Sequence, residues 1–329
     1  MPVLPDPLMP RGHTGDRLVV MATVTEPVVE LTGLRKHYGA VRAVEDVSFS
    51  VEEGEIFGVL GPNGAGKTTS VECLAGLRTG DAGSARVAGI DPWTDHDAVT
   101  RVLGVQLQES QLQEKITVAE ALTLWSSFYD SPRPWGELAE RLGLTPHLRQ
   151  RFAALSGGQQ QRLSIALALV GRPGVVILDE LTTGLDPRAR QEVWQLVRDV
   201  RDEGTTVLLV THAMEEAEHL CDRIAIIDAG RVRALDTPDG LIARATQATS
   251  TSFDPSQPVD LEALRAVEGV AAVRVQGDRV VVDGSEGSAI RLLAELTHQD
   301  VTPLRLRVVE GTLASAYLDL TDTLEKEPA

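Results

Sequence analysis

Gly61-Pro-Asn-Gly-Ala-Gly-Lys-Thr-Thr69 decides the fold. The stretch matches G-x-x-x-x-G-K-[ST]. It follows Ile56–Leu60, an apolar run of strand length, and leads into a predicted helix near Lys67–Leu77. Strand, Gly-rich loop and helix in that order are the context a phosphate-binding loop requires. Gly61, Gly64 and Gly66 let the backbone curl so that successive N–H groups face one anion, and the helix adds its positive dipole end. Lys67 would reach the β- and γ-phosphates, and the Thr68 hydroxyl would face Mg²⁺. Asn63 and Thr69 complete the segment assigned to nucleotide.

Downstream, Val175-Val-Ile-Leu-Asp-Glu180 reads as a buried strand ending in two carboxylates. Ligands bind at strand ends in open α/β sheets. Asp179 is expected to hold Mg²⁺ and Glu180 to polarise an attacking water. Around these two motifs, continuous apolar runs (Thr206–Val210, Ile224–Ile227) alternate with predicted helices over 157–170, 187–202 and 213–221. That alternation predicts an α/β fold with a sheet covered on both faces. Shorter strands at Val28–Leu31 and Val44–Phe49 precede the loop. Residues 109–155 are mostly helical and read as a subdomain inserted between two sheet strands.

Composition narrows the classes. The 329 residues carry 31 Lys+Arg against 48 Asp+Glu, a net charge of -17. That balance argues against nucleic acid, whose partners show a basic face. It does not exclude one local anion site, and Lys67 is one of only four lysines. No run approaches the ~18 apolar residues that cross a bilayer. Residues 1–27, with prolines at 2, 5, 7 and 10, read as a flexible tail without a convincing signal peptide. Met21 is an alternative start. Cys73 and Cys221 are too few for a disulfide framework and read as core packing in a reducing cytoplasm. His13, His37, His96, His147, His219 and His298 show no metal-like spacing and read as surface residues.

Leu155-Ser-Gly-Gly-Gln-Gln-Gln-Arg162 lies between the two motifs. Ser156 begins a helix whose first N–H groups are left open by Gly157 and Gly158, a second anion site on a second helix N-terminus. The segment resembles the signature of ATP-binding cassette (ABC) proteins, and the resemblance spans about 28–240. It implies a phosphate-loop ATPase of ABC type with an antiparallel β subdomain. It also implies a head-to-tail homodimer, each ATP lying between one subunit's loop and Ser156, Gly157, Gly158 and Gln159 of the other. By the same resemblance, Tyr38 looks like the aromatic that stacks on adenine. Gln108, in the register Gly104-Val-Gln-Leu-Gln-Glu109, looks like the glutamine contacting Mg²⁺ and water at the hinge of the helical subdomain. Asp186 in Gly184-Leu-Asp-Pro187 looks like the aspartate facing the opposite subunit, and His212 like the histidine on the γ-phosphate. Leu181 stands where the family usually has proline.

After residue 240 the resemblance weakens. Residues 241–258, rich in Thr, Ser, Gln and Pro, read as a linker. Residues 259–329 read as a small α+β accessory domain: helix Leu261–Val267, strands Val270–Val275 and Val280–Val282, helix Ile290–Leu296, strand Leu304–Val309 and helix Leu313–Leu320. Residues 303–320 look like the end of drug-resistance-type exporter ATPases, with a departure at Glu310-Gly-Thr-Leu. The expected protein is therefore the ATPase subunit of a bacterial exporter. It would lie on the inner face of the membrane beside separate transmembrane permease subunits. The alternatives are an importer ATPase with a regulatory C-terminal domain and a soluble ABC protein outside transport.

Overall fold

The computed structural model describes residues 26–107, 112–244, 249–285 and 287–322. Most of the expected N-terminal tail, and Gln108, lie outside the described residues.

A nine-stranded sheet organises residues 29–236. β1 (Val29–Tyr38) and β2 (Val41–Val51) form an antiparallel hairpin, and β4 (Ala82–Val87) pairs with β1 on the other side. In β1, buried Val29 and Leu31 alternate with exposed Glu30 and Thr32, the pattern of a sheet wet on one face. β3 (Ile56–Leu60), between β2 and β4 in the chain, has no exposed residue. Its parallel neighbours are β7 (Thr206–Thr211) and β8 (Arg223–Asp228). Beyond β7 lie β6 (Val175–Asp179) and then β5 (Leu103–Gln106), both parallel. β9 (Arg231–Asp236) turns back antiparallel to β8 and touches β2. The sheet is mixed, with an antiparallel part at one side.

The parallel strands read as unbroken apolar runs because each faces two cores. Ile56, Leu60, Val176, Leu178, Val207 and Leu209 enter one cluster. Phe57, Val59, Val175, Ile177, Leu208 and Val210, the residues between them, enter the other. The first core is closed by α5 (Gly157–Leu169), α6 (Pro187–Asp202) and α7 (Met214–Leu220), and the second by α1 (Lys67–Leu74). Helix α2 (His96–Val102) leads into β5. In the inserted segment, α3 (Val118–Ser126) and α4 (Trp135–Arg141) pack Leu122 and Leu138 against Leu163 of α5.

Past β9, α8 (Pro238–Arg244) extends the helical layer. The expected linker contains a strand, β10 (Thr249–Pro255). Thr249, Thr251 and Phe253 point inward and are buried, so Ser/Thr alternation here is the inward face of a sheet. With α9 (Leu261–Arg265), β11 (Val270–Gln276), β12 (Arg279–Gly284), α10 (Ser288–His298) and β13 (Pro303–Glu310) it makes a βαββαβ unit. Its antiparallel sheet is ordered β11-β12-β10-β13, the ferredoxin-like arrangement. Phe253, Val280, Val282, Leu292 and Leu296 fill its separate core. The last helix, α11 (Leu313–Asp322), leaves this unit. Leu313 is fully buried in the large core, and its N–H donates to Glu218 Oε2 of α7 at 3.0 Å.

Candidate functional site

Strands β3, β6 and β7 end side by side, and their C-terminal ends carry the phosphate loop, Asp179-Glu180 and His212. A cleft of ≈ 510 Å³ opens there, lined by Tyr38, Val41, Arg42, Ala43, Asn63, Gly64, Gly66, Lys67, Thr68, Thr69 and Glu180. The loop's shape follows from its glycines. Gly66 sits in the left-handed region at φ 101 as N-cap of α1, and a Cβ there would lie 2.4 Å from Ala43 O. A Cβ on Gly61 would lie 2.0 Å from Ile227 O, so β3 meets β8 too closely for any side chain. Gly66 brings no capping side chain, so the first N–H groups of α1 face the cleft.

Lys67 is 5% exposed, and its Nζ donates to Gly61 O at 2.8 Å and Pro62 O at 3.0 Å. Burial lowers its pKa from the ordinary lysine value, and Glu180 and Asp179 partly oppose that shift. The ammonium is thus held on neutral carbonyls beside two acids. An anion entering the cleft would offer it a charge-assisted bond in their place.

Asp179 is 1% exposed at the end of β6. Its N–H donates to Gln106 Oε1 at 3.1 Å, while Gln106 Nε2 donates to Leu107 O at 3.0 Å. Buried Gln106 therefore fixes the backbone that aims Asp179, a role its position in a run of glutamines did not disclose. Glu180 adopts φ 52, uncommon for a residue with a side chain. Its N–H still donates to Val210 O at 2.9 Å, so the ladder to β7 continues while the side chain turns into the cleft. There Glu180 Oε1 meets His212 Nδ1 at 2.9 Å. Tyr38 ends β1 at the cleft's rim, 40% exposed, with the Arg78 guanidinium carbon 5.4 Å and Lys36 Nζ 5.8 Å from its ring centroid. Leu181, in the place of the usual proline, is buried in the large core.

Ser156, Gly157, Gly158, Gln159 and Asp186 line a different cleft of ≈ 310 Å³. Ser156 caps α5 through a reciprocal box: Gln159 N–H donates to Ser156 Oγ at 3.4 Å and Ser156 N–H to Gln159 Oε1 at 2.8 Å. Asp186 Oδ1 accepts from the N–H groups of Arg188 and Ala189, both at 3.0 Å, and so caps α6. The Ser156–Gln159 helix start and the phosphate loop therefore lie at two separate clefts of one chain, and Tyr38, Lys67, Thr68 and Glu180 line the loop's cleft alone, with Asp179 and His212 beside Lys67 and Glu180. His147, expected at the surface without a role, reaches Gln159 of the second cleft at 3.1 Å. The oxygen donors beside Lys67, one hydroxyl from Thr68 and the carboxylate of Asp179, suit a hard ion such as Mg²⁺ that keeps water and phosphate ligands. Among the described residues no group of three or more His, Cys, Asp or Glu side chains forms a metal cage.

The pattern described as "ABC transporter" matches residues 44–183. The linearmycin resistance ATP-binding protein LnrL of Bacillus subtilis is 33% identical over 305 residues, covering 89% of this chain and 98% of that protein. The daunorubicin/doxorubicin resistance ATP-binding protein DrrA of Streptomyces peucetius is 34% identical over 311 residues, covering 92% and 94%. The chain belongs to the ABC transporter ATP-binding proteins. The structure of an ATP-binding subunit of an ABC transporter aligns with TM-score 0.60 and 30% identity over 65% of this chain and 91% of that one. A dimeric ATP-binding cassette in a post-hydrolysis state, bound to ADP and Pi, aligns with TM-score 0.56 and 26% identity over 64% and 98%. This ABC chain is thus a nucleotide-binding ATPase of the exporter branch. None of its described helices is long and apolar enough to cross a membrane.

Proposed function

We propose that two copies of this chain close head to tail around two ATP molecules and so drive a separate pair of transmembrane subunits that export a drug-like or lipid-like amphipath. The observation that carries this is the separation of the two anion cradles. A cleft holding Lys67 and Glu180, without the Ser156–Gln159 cradle, is half a site that a second copy completes. The names of the relatives, resistance to linearmycin and to daunorubicin and doxorubicin, favour amphipathic substrates. The βαββαβ unit at 249–310 serves as an accessory domain. It is an open four-stranded antiparallel sheet with two helices, not a β-barrel. The chain works at the inner face of the membrane, docked to its permease.

Chemically, hydrolysis is phosphoryl transfer to water, a matter of positioning and charge. Tyr38 stacks on the base. Lys67 and the N–H groups of α1 hold the β- and γ-phosphates. Thr68 and Asp179 would hold Mg²⁺; when bound, the ion would neutralise charge on the transferring group. Glu180 orients the attacking water, and His212 exchanges its bond with Glu180 for one to the γ-phosphate. The partner's Ser156, Gly157 and Gly158 supply the remaining N–H groups, with Asp186 at the subunit seam.

The test is Glu180→Gln in the full chain. It should bind ATP, hydrolyse at under a hundredth of the wild-type rate, and elute as an ATP-dependent dimer. Wild-type turnover in that variant would sink the assignment. For the substrate class, a strain lacking this chain should become sensitive to amphipathic antibiotics; unchanged sensitivity to a panel of them would exclude that class.

A further inference from the structure

His147 lies at the end of a short turn, Thr145–His147, between α4 and the signature helix α5. Four polar groups run in a chain through it. Ser156 N–H donates to Gln159 Oε1 at 2.8 Å, which fixes the amide so that Gln159 Nε2 is the end facing His147. That Nε2 lies 3.1 Å from His147 Nε2. An amide nitrogen only donates, so the ring nitrogen opposite it must accept. His147 is then neutral with its proton on Nδ1, and Nδ1 has its acceptor: Gln150 Oε1 at 3.2 Å. Each donor in the row meets an acceptor under this one assignment and under no protonated form of the ring.

The turn is also fastened on its other side. Leu148 and Gln150 offer their carbonyls to the N–H groups of Ala119 and Val118, at 3.0 and 3.1 Å, capping the start of α3. The turn therefore links α3 to the cap of α5.

Resting on the proposed reading of Ser156–Gln159 as the cradle that completes the partner's ATP site, we propose that His147 is a positioning residue for hydrolysis: as a neutral Nε2 acceptor it locks the Gln159 amide, and through it the Ser156 cap that presents the cradle's N–H groups. A group that can only donate at this place turns the Gln159 amide over. Gln159 then shows its NH₂ to Ser156 N–H, and the box opens. The nucleotide cleft of the same chain is untouched, because none of its lining residues belongs to the row.

The experiment compares His147→Gln, His147→Ala and His147→Lys in the full chain. Gln reaches as far as the ring and can accept; Ala offers nothing; Lys offers only donors. Turnover of ATP should stay within about twofold for Gln, fall several-fold for Ala and fall at least tenfold for Lys. ATP affinity, measured by nucleotide titration without turnover, should stay within twofold in all three. Gln as impaired as Ala, Lys as active as the wild type, or affinity falling in step with turnover would overturn the proposal. A second readout is independent of activity. Nitrogen-15 spectra of the histidine-labelled chain should show His147 with an unprotonated Nε2, and a protonated Nε2 at neutral pH would overturn it. Absence of turnover in the wild type itself would overturn the signature reading, and this proposal with it. The variant outcomes above strike the proposal alone.

Discussion

Glu180 Oε1 and His212 Nδ1 stand 2.9 Å apart, joining the ends of the neighbouring parallel strands β6 and β7. The carboxylate side chain is 8% exposed and the imidazole 46%, so the pair has one buried and one exposed member. The exposed partner is the one free to swing toward a phosphate. His212→Ala should therefore leave ATP binding within a few-fold of wild type and lower turnover by roughly a hundredfold. Equilibrium nucleotide titration beside steady-state phosphate release separates the two effects. Loss of binding in proportion to turnover would show that His212 shapes the cleft instead.

Gly66 is required by contact as well as by conformation. Gly66→Ala places a methyl 2.4 Å from Ala43 O at φ 101. The expected cost is roughly 2–4 kcal/mol, strain and overlap together. Gly64, at φ 82, faces open space, so Gly64→Ala pays for conformation only, roughly 1 kcal/mol. Urea unfolding of both variants measures the difference. Equal costs would mean that the loop shifts to make room.

Burial pushes the Cys73 thiol up to about 11 from its usual 9.0. The folded state thus holds the proton more tightly than the unfolded chain does. Stability from this group is intact below the unfolded value and is lost as pH rises through the folded one. Between pH 8 and pH 10 the wild type should lose about 1 kcal/mol more than Cys73→Ala does. Urea midpoints at the two pH values give the comparison. An identical loss in both proteins would show that the thiol titrates normally.

Leu313 starts α11 and is fully buried in the core beneath α7, although the chain reaches it only after the accessory unit. Leu313→Ala should cost roughly 2–5 kcal/mol. The loss should appear in the thermal transition of the ATPase portion. A change confined to the βαββαβ unit would contradict the packing.

Much of this was legible in residues. β3, β6 and β7 announce themselves because each is buried along its whole length and carries an unbroken apolar run, with polar residues only at the ends of β6 and β7. The phosphate loop is legible because its glycines are demanded one by one. β4, Ala82-Gly-Ser-Ala-Arg-Val87, was not, since an edge strand needs few apolar residues. β10 reads as a linker in the sequence because Thr249 and Thr251, not apolar residues, carry its inward face. The helix Leu313–Leu320 was legible as a helix, but its return to α7 is a tertiary fact. The bond of His147 to Gln159 is a tertiary fact as well. A lone histidine twelve residues before Gln159 gives no sign of bonding to it.

The central claim is that each ATP site is shared between two copies, and a mixing experiment tests it most directly. Lys67→Ala removes the phosphate-loop cation and leaves the signature cradle whole. Gly158→Asp puts a carboxylate into the cradle and leaves the loop whole. Each variant alone should show almost no ATP turnover. Mixed in equal amounts, they should recover about a quarter of the wild-type rate, because half the dimers pair the two variants and each such dimer has one intact site. No recovery on mixing, or turnover by either variant alone, would contradict the account.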